Sequence, residues 1–299
     1  APAEEAAPAE EAAPAAVVAD PIPYPDPPDL GLGDLDPVRR PIDQIVTYKS
    51  LPEYNEPEWV TELVEAGELP PLEERLPAEP MVWLEAAMED GIGVYGDGHH
   101  AFSACPTAGW NVMAGVSQGW FGIESYADRY NALIKTGPLY RADQDIDPFP
   151  NLAKSWEWSE DGLELTMHLM EGVKWSDGEP FTAEDVIFSY DDIILDPNVN
   201  SWVQAGAFTW NDEVATLEAV DDYTIKWTFA QPFPLDVFYM MREDRLYIAP
   251  EHILRDFHPK YNAEMDYKDF ENALPPDKLP QVTLGPWAAV EYKTDELLI

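Results

Sequence analysis

Strict alternation of apolar and polar residues predicts adjacent β-strands in the middle of the chain. Trp156 and Trp158 alternate with polar residues and lead into a Glu-Asp-Gly turn at 160–162. Apolar residues then recur at every second position over 163–169. Because successive side chains of a strand point to opposite faces, this pattern predicts a β-hairpin with one buried face. The alternating run 223–229 predicts a further strand.

A helix start follows the predicted hairpin. Thr182 is a natural N-cap, and Asp185 occupies the capping-box position three residues later. Phe181 and Val186 are placed to form a hydrophobic staple across the cap. The helix is expected to end before the Asp-Pro pair at 196–197, because proline disfavours a helical residue before it. Since the polar residues here have structural tasks, we interpret the segment as scaffold and not as an active site.

Composition divides the chain into three parts. Residues 1–37 are mostly Ala, Pro, Glu and Asp and contain no Lys or Arg, which predicts a disordered tether. In the segment 38–80, apolar residues occur at helical spacing over 58–66, and Gly67 stands where such a helix would end. We expect this segment to be an ordered extension packed on the main body. Residues 81–299 have an α/β pattern and are expected to form that body.

The charge of the chain restricts its partners. Its 299 residues include 58 Asp and Glu against 17 Lys and Arg, a formal net charge of -41, while 45% of residues are hydrophobic. A globular protein of this charge repels phosphates and anionic lipid heads, so nucleic acid and membrane surface are not expected partners. No apolar run approaches the roughly 20 residues of a membrane span. The chain begins with APAEEA, so any signal peptide is expected to have been removed or left out.

Cysteine and histidine offer no metal site. Cys105 is the only cysteine, which excludes an intramolecular disulfide and a cysteine-based zinc site. His99 and His100 are adjacent, so on a strand their side chains point apart. We therefore predict no zinc site.

One acidic motif imitates a calcium loop. Asp143, Asp145 and Asp147 have the spacing of its first ligands. The sixth position is Pro148 where glycine is needed, and the twelfth is Lys154 where glutamate is needed. We predict no metal ion and no cofactor.

Two common enzyme motifs are missing from the sequence. It contains neither a P-loop nor an HExxH motif. Paired carboxylates could still serve a hydrolase, but with 58 acidic residues such pairs identify nothing. We predict a protein that is not an enzyme, with a carboxylate-based hydrolase and a non-binding interaction module as alternatives from other classes.

Several segments together resemble a known family. They occur in the expected order and with matching spacing: 150–190, 220–234 (VDDYTIKWTFAQPFP), 248–254 (IAPEHIL) and 283–299 (TLGPWAAVEYKTDELLI). This series resembles the family-five extracellular solute-binding proteins, which are the dipeptide-, oligopeptide- and nickel-binding receptors of ABC importers. The resemblance extends over roughly 95–299, with Trp287 where the family usually has tyrosine.

The resemblance implies an α/β fold of the type II periplasmic-binding-protein kind. Such a receptor has two lobes, each with a mixed sheet and flanking helices, that close on the ligand and deliver it to a membrane permease. We expect 81–299 to be an incomplete first lobe, with the second lobe missing from this chain. The complete protein is expected to be a periplasmic or extracellular monomer, either free or tethered to the membrane surface.

The resemblance also indicates where ligand would lie. The segment 99–111 stands where the family has its first strand and the following loop, and loops at the carboxyl ends of strands line ligand crevices. Its candidate ligand-binding residues are Ser103, Cys105, Trp110 and Asn111. An ordinary core strand and turn is the alternative interpretation.

Two further segments supply aromatic candidates. Trp120 and Phe121 lie between glycines at an expected helix start, where free N–H groups could hold a carboxylate. Trp202 follows Asp-Pro-Asn in the region where peptide-binding relatives place an aromatic residue over the ligand. For all three, packing in the core is the alternative. Peptide is the leading ligand class, and oligosaccharide is the alternative because the 11 tryptophans offer stacking surfaces for sugars.

Overall fold

The computed structural model describes most of the chain after the predicted tether. The described ranges are 42–85, 91–94, 109–111, 113–114, 132–136, 148–201, 203–242, 245–293 and 297–298. The tether at 1–37 and the calcium-like motif at 143–147 lie outside these ranges. Within them, none of the helices has the length and apolar character needed to cross a membrane.

An antiparallel four-stranded sheet forms the centre of the described structure. Its strand order is β5-β6-β10-β9, and the strands are β5 (Ala153–Trp158), β6 (Glu164–Leu169), β9 (Thr216–Asp221) and β10 (Thr224–Thr228). The predicted hairpin is confirmed as β5 and β6, with Trp156 opposite Met167. The predicted strand at 223–229 is confirmed as β10, which pairs with β6 on one side and β9 on the other.

One face of this sheet is buried as the alternation predicts. Leu165 and Met167 of β6 and Ile225 and Trp227 of β10 are all fully buried. Their neighbours on the opposite face are polar and more exposed. Burial of one face of an antiparallel sheet explains why the alternation was so regular in the sequence.

The predicted helix begins at its predicted cap. Helix α3 (Ala183–Ile187) follows Thr182, whose backbone N–H donates to Asp185 Oδ2 at 2.9 Å in a capping box. The helix continues in wider π-type turns over Phe188–Ile194 and ends before Pro197, as predicted. The backbone N–H of Ala183 donates to Asp222 O at 2.8 Å, which joins the helix start to the turn between β9 and β10.

The remaining elements are short. The helices are α1 (Glu58–Glu65), α2 (Leu72–Arg75), α4 (Leu235–Tyr239), α5 (Glu251–Leu254) and α6 (Tyr267–Glu271), with 3-10 turns at Ile42–Gln44, Ala205–Phe208 and Arg255–Phe257. The two-stranded pairs are β1 (Val46–Tyr48) with β2 (Met81–Trp83), β3 (Ile134–Thr136) with β4 (Pro148–Pro150), β7 (Thr209–Trp210) with β8 (Glu213–Val214), and β11 (Tyr292–Lys293) with β12 (Leu297–Leu298). Helix α1 is the one that the sequence predicted over 58–66.

The segment 42–85 contacts the rest of the described structure at several places, among them an ion pair between Glu79 and Lys154. Tyr48 OH donates to Pro150 O at 2.6 Å, and the Trp83 ring meets Phe149 edge-on with centroids 6.0 Å apart. Farther along, Lys174 Nζ donates to Glu74 O at 3.0 Å. These contacts agree with an ordered extension, while the boundaries of the three predicted domains stay predictions.

Candidate functional site

The predicted site residues are only partly described. Trp110 and Asn111 lie within the described ranges. The others lie outside them: Ser103, Cys105, Trp120, Phe121 and Trp202. The ligand-binding role of all seven stays a prediction.

Trp110 and Asn111 are held against the end of α6 and the segment that follows it. The backbone N–H of Trp110 donates to Leu274 O at 2.7 Å, and Asn111 Nδ2 donates to Phe270 O at 2.8 Å. Gly109 makes this approach possible, because a Cβ at that position would lie 2.7 Å from Leu274 O. The backbone around residue 110 is therefore fixed by contacts with residues far away in the sequence.

A second loop reaches the same part of the chain. Ala114 forms an isolated antiparallel bridge with Ser201, which immediately precedes Trp202. Ser201 is buried, and its N–H donates to Val199 O at 2.9 Å. The structure thus brings the loop after 109 and the loop after 196 together, as expected if both contribute to one site.

Three buried polar atoms in these loops have no hydrogen-bond partner among the described residues. They are the indole nitrogen of Trp110, the amide oxygen of Asn111 and the hydroxyl of Ser201. We name these three residues the polar junction. Buried polar groups normally have a hydrogen-bond partner. The polar junction offers one donor, one acceptor and one hydroxyl that have none among the described residues, so these groups are the best placed here to bind a polar molecule.

The burial of Trp110 bears on its predicted role. Only 5% of its surface is exposed, and it packs in the same apolar cluster as Met113 and Leu133. That environment agrees with the alternative interpretation, in which Trp110 packs in the core. An aromatic surface for ligand stacking would have to come from another residue, and the predicted one is Trp202.

A charged network lies beside the loop that carries Ser201. Asp192 is almost fully buried and accepts hydrogen bonds from Lys260 Nζ and from Tyr261 OH. His258 is fully buried; its Nε2 lies 2.9 Å from Asp192 O and 3.7 Å from Asp196 Oδ2. Buried charges are stable only when paired and hydrogen-bonded, and this network meets that condition.

The Asp196 carboxylate anchors the start of the loop. Burial opposes its ionisation, but hydrogen bonds outweigh that effect and hold the pKa of Asp196 below its ordinary value. The donors are the backbone N–H and the side chain of Asn198 and the hydroxyl of Tyr267. Asp196 is therefore charged at neutral pH.

An acidic surface cavity lies elsewhere on the described structure. Its volume is about 420 Å³. None of the predicted site residues lines it; the lining residues are His168, Leu169, Glu171, Asp221, Asp222, Tyr223 and Thr224. Among the described residues, no group of three or more His, Cys, Asp or Glu side chains is arranged to hold a metal ion. The polar junction therefore remains the candidate site.

Solved structures define the class of fold. The periplasmic binding protein MelB of Agrobacterium fabrum C58, solved in complex with stachyose, superposes with a TM-score of 0.76 and 47% identity, over 86% of this chain and 38% of that one. An oligopeptide-binding protein OppA superposes with a TM-score of 0.54 and 30% identity, over 84% of this chain and 38% of that one. The described structure is thus part of an α/β periplasmic-binding-protein fold, as predicted.

Sequence comparison adds the family. Residues 147–299 match the family described as bacterial extracellular solute-binding proteins, family 5 Middle. The chain belongs to this family, which confirms the resemblance found in the sequence. The periplasmic alpha-galactoside-binding protein of Rhizobium meliloti (strain 1021) is 45% identical over 276 residues, 91% of this chain and 39% of that protein. The chain therefore spans well under half the length of these relatives.

Proposed function

We propose that this chain is part of the substrate-binding receptor of an ABC importer, and that the receptor captures an oligosaccharide containing α-galactosyl groups. The observation that carries this proposal is the likeness to MelB in complex with stachyose, at 47% identity over 86% of this chain. The similar coverage of an alpha-galactoside-binding relative supports the same ligand class. The proposal thus favours the oligosaccharide alternative over the peptide.

The polar junction supports a ligand rich in hydroxyl groups. A sugar hydroxyl both donates and accepts, so it can satisfy the Trp110 N–H, the Asn111 amide oxygen or the Ser201 hydroxyl. A specific site of this kind combines a few placed polar groups with apolar or aromatic walls. The tryptophans of this chain would supply such walls.

In the proposed mechanism, binding is reversible and involves no covalent chemistry. Two lobes close around the sugar, and the closed receptor presents it to a membrane permease from the periplasm. The complete receptor acts as a monomer, without enzyme activity, metal or cofactor. A lobe that closes stabilises the bound state because it makes contacts with ligand that the open state lacks.

Calorimetry on the full-length receptor tests this proposal. Titration with stachyose should give saturable binding, and chromatography afterwards should recover the sugar unchanged. Cellotetraose, a β-linked tetrasaccharide, serves as the matched control ligand and should bind far more weakly. Absence of stachyose binding would contradict the proposal, and hydrolysis of the sugar would favour the carboxylate-based hydrolase.

Peptide remains the second candidate ligand. The OppA likeness, with a TM-score of 0.54 and 30% identity, supports it. Backbone amides of a peptide could also satisfy the donor and acceptors of the polar junction. Titration of the same receptor with a mixed tripeptide pool separates the two: saturable heat with peptides and none with stachyose would establish the peptide.

Trp202→Ala should weaken ligand binding by roughly 1–3 kcal/mol, about 5- to 150-fold, as for other aromatic binding anchors. Thermal stability should fall much less than for a core tryptophan, since a cleft residue is partly solvated without ligand. Affinity and melting temperature are to be measured on the same full-length variant. A large drop in melting temperature with unchanged affinity would assign Trp202 to the core.

A further inference from the structure

Helix α6 contacts both loops of the candidate site. The carbonyl of Phe270, in its last turn, accepts the hydrogen bond from Asn111 Nδ2 at 2.8 Å. In its first turn, Tyr267 OH donates to Asp196 Oδ2 at 2.8 Å and accepts from Asn198 Nδ2 at 3.3 Å. One short helix thus holds the loop of Asn111 through its backbone and the loop of Ser201 through one side chain.

The loop from Asp196 to Ser201 is a chain of local hydrogen bonds. Asp196 Oδ1 accepts from Asn198 N at 2.8 Å, and Asp196 O accepts from Val199 N at 3.2 Å. Val199 O in turn accepts from Ser201 N at 2.9 Å. Because each turn is fixed on the previous one, the placement of Asp196 helps to set the position of Ser201.

We propose that Tyr267 is a positioning residue for ligand binding, whose hydroxyl orients Asp196 and thereby the loop that carries Ser201 and Trp202. The inference rests on the proposed function, since it concerns the same site. Tyr267 does not itself have to contact ligand.

Because Asp196 is charged, the hydrogen bond that it accepts from the hydroxyl of Tyr267 is stronger than the bonds between neutral groups in the loop. A hydroxyl that donates to a carboxylate forms a shorter and stronger bond than one that donates to a neutral group. The other group facing the carboxylate from outside the loop is His258, whose Nε2 is 3.7 Å from Asp196 Oδ2, beyond hydrogen-bond distance. Tyr267 is therefore the main tertiary contact of this carboxylate among the described residues.

A neighbouring tyrosine provides a matched control. Tyr261 OH donates to Asp192 Oδ2 at 2.5 Å, which is also a hydroxyl–carboxylate hydrogen bond. Asp192 belongs to the π-type turns of Phe188–Ile194, before the loop begins. Tyr261→Phe therefore removes the same type of bond and should lower stability, but it leaves the contacts of Asp196 and Asn198 in place.

The first test compares the affinity of three full-length receptors for stachyose by calorimetry. Tyr267→Phe should bind about tenfold more weakly than wild type, the loss expected for one hydrogen bond to a charged group. Tyr261→Phe should bind with wild-type affinity. Equal affinity for Tyr267→Phe and wild type would overturn the inference, and so would an equal loss in both variants.

The second test reports on the loop directly and needs no ligand. The receptor is labelled with 5-fluorotryptophan, and the ¹⁹F resonance of Trp202 is assigned from its disappearance in Trp202→Phe. Tyr267→Phe should shift or broaden this resonance, whereas Tyr261→Phe should leave it unchanged. If wild type fails to bind stachyose, the proposed function fails, and this spectrum still decides on positioning: an unchanged Trp202 resonance in Tyr267→Phe would refute it.

Discussion

Trp227→Ala is expected to lower the free energy of unfolding by about 3–5 kcal/mol, the cost of truncating a large aromatic side chain in a core. Trp227 is fully buried in β10. Its ring stacks on Phe208 with centroids 5.8 Å apart and meets Tyr190 edge-on at 4.7 Å. Removing it would leave a cavity among rings that cannot collapse into it. Urea denaturation of the full-length protein, followed by circular dichroism, measures the loss.

Trp287→Ala is the matched control for this prediction. The Trp287 side chain is 61% exposed, so its truncation should change the free energy of unfolding by no more than about 0.5 kcal/mol. If Trp227→Ala does not fold, Trp227→Phe provides a milder truncation and should still be clearly less stable than Trp287→Ala. Equal stability of the Trp227 and Trp287 variants would show that the aromatic cluster is not the core.

The second large effect concerns the pH dependence of stability and one buried carboxyl. Burial raises the pKa of Asp185 to about 6 from 3.8, although the backbone N–H groups of Thr182 and Glu251 and the nearby His252 favour the charged form. In the unfolded chain this carboxyl keeps its ordinary pKa. Between about pH 4 and 6 the folded protein therefore retains a proton that the unfolded chain has released. Folding stability falls as pH rises through this window, by up to about 3 kcal/mol.

Asp185→Asn should abolish this contribution, because asparagine does not titrate. The variant loses part of the capping box and is expected to be less stable than wild type at pH 4. The difference in unfolding free energy between the two proteins should then shrink as pH rises to 7, because only wild type acquires a destabilising buried charge. Denaturant unfolding at several pH values between 4 and 7 measures the difference.

Glu184→Gln is the control for the Asp185 experiment. Glu184 lies one position earlier in α3 and is exposed. Its replacement therefore removes a charge from the same turn but leaves the buried carboxyl of Asp185 in place. Its stability difference from wild type should change little with pH over this range. Parallel stability curves for wild type and Asp185→Asn would show that burial does not raise the pKa of Asp185.

Local patterns in the sequence were sufficient for the main secondary structure and for the family. The alternation around Met167 predicted the hairpin, and the spacing of Thr182 and Asp185 predicted the helix cap. Both depend on interactions between residues a few positions apart or on burial of one face, which the order of residue types records directly. The same segment carried the family resemblance, because its turns and caps restrict the residues that fit.

The site depends on contacts that no local pattern records. Asn111 binds the carbonyl of Phe270 across 159 residues, and Tyr267 binds Asp196 across 71. In the sequence, Ser201 and Tyr267 have no spacing or motif that distinguishes them from other polar residues. Only the packing of α6 against both loops brings Ser201 and Tyr267 into the same region of the fold.

The sequence by itself therefore determined three strands of the central sheet, the capped helix and the family, since hydrophobic periodicity and capping act over a few residues. The tertiary structure alone decided which polar atoms of the described residues are buried without a partner there, and which helix supports both loops. The physical reason is that a hydrogen bond between distant residues requires only two complementary groups at about 3 Å. Many pairs in a chain satisfy that chemistry, and the fold selects the few that meet.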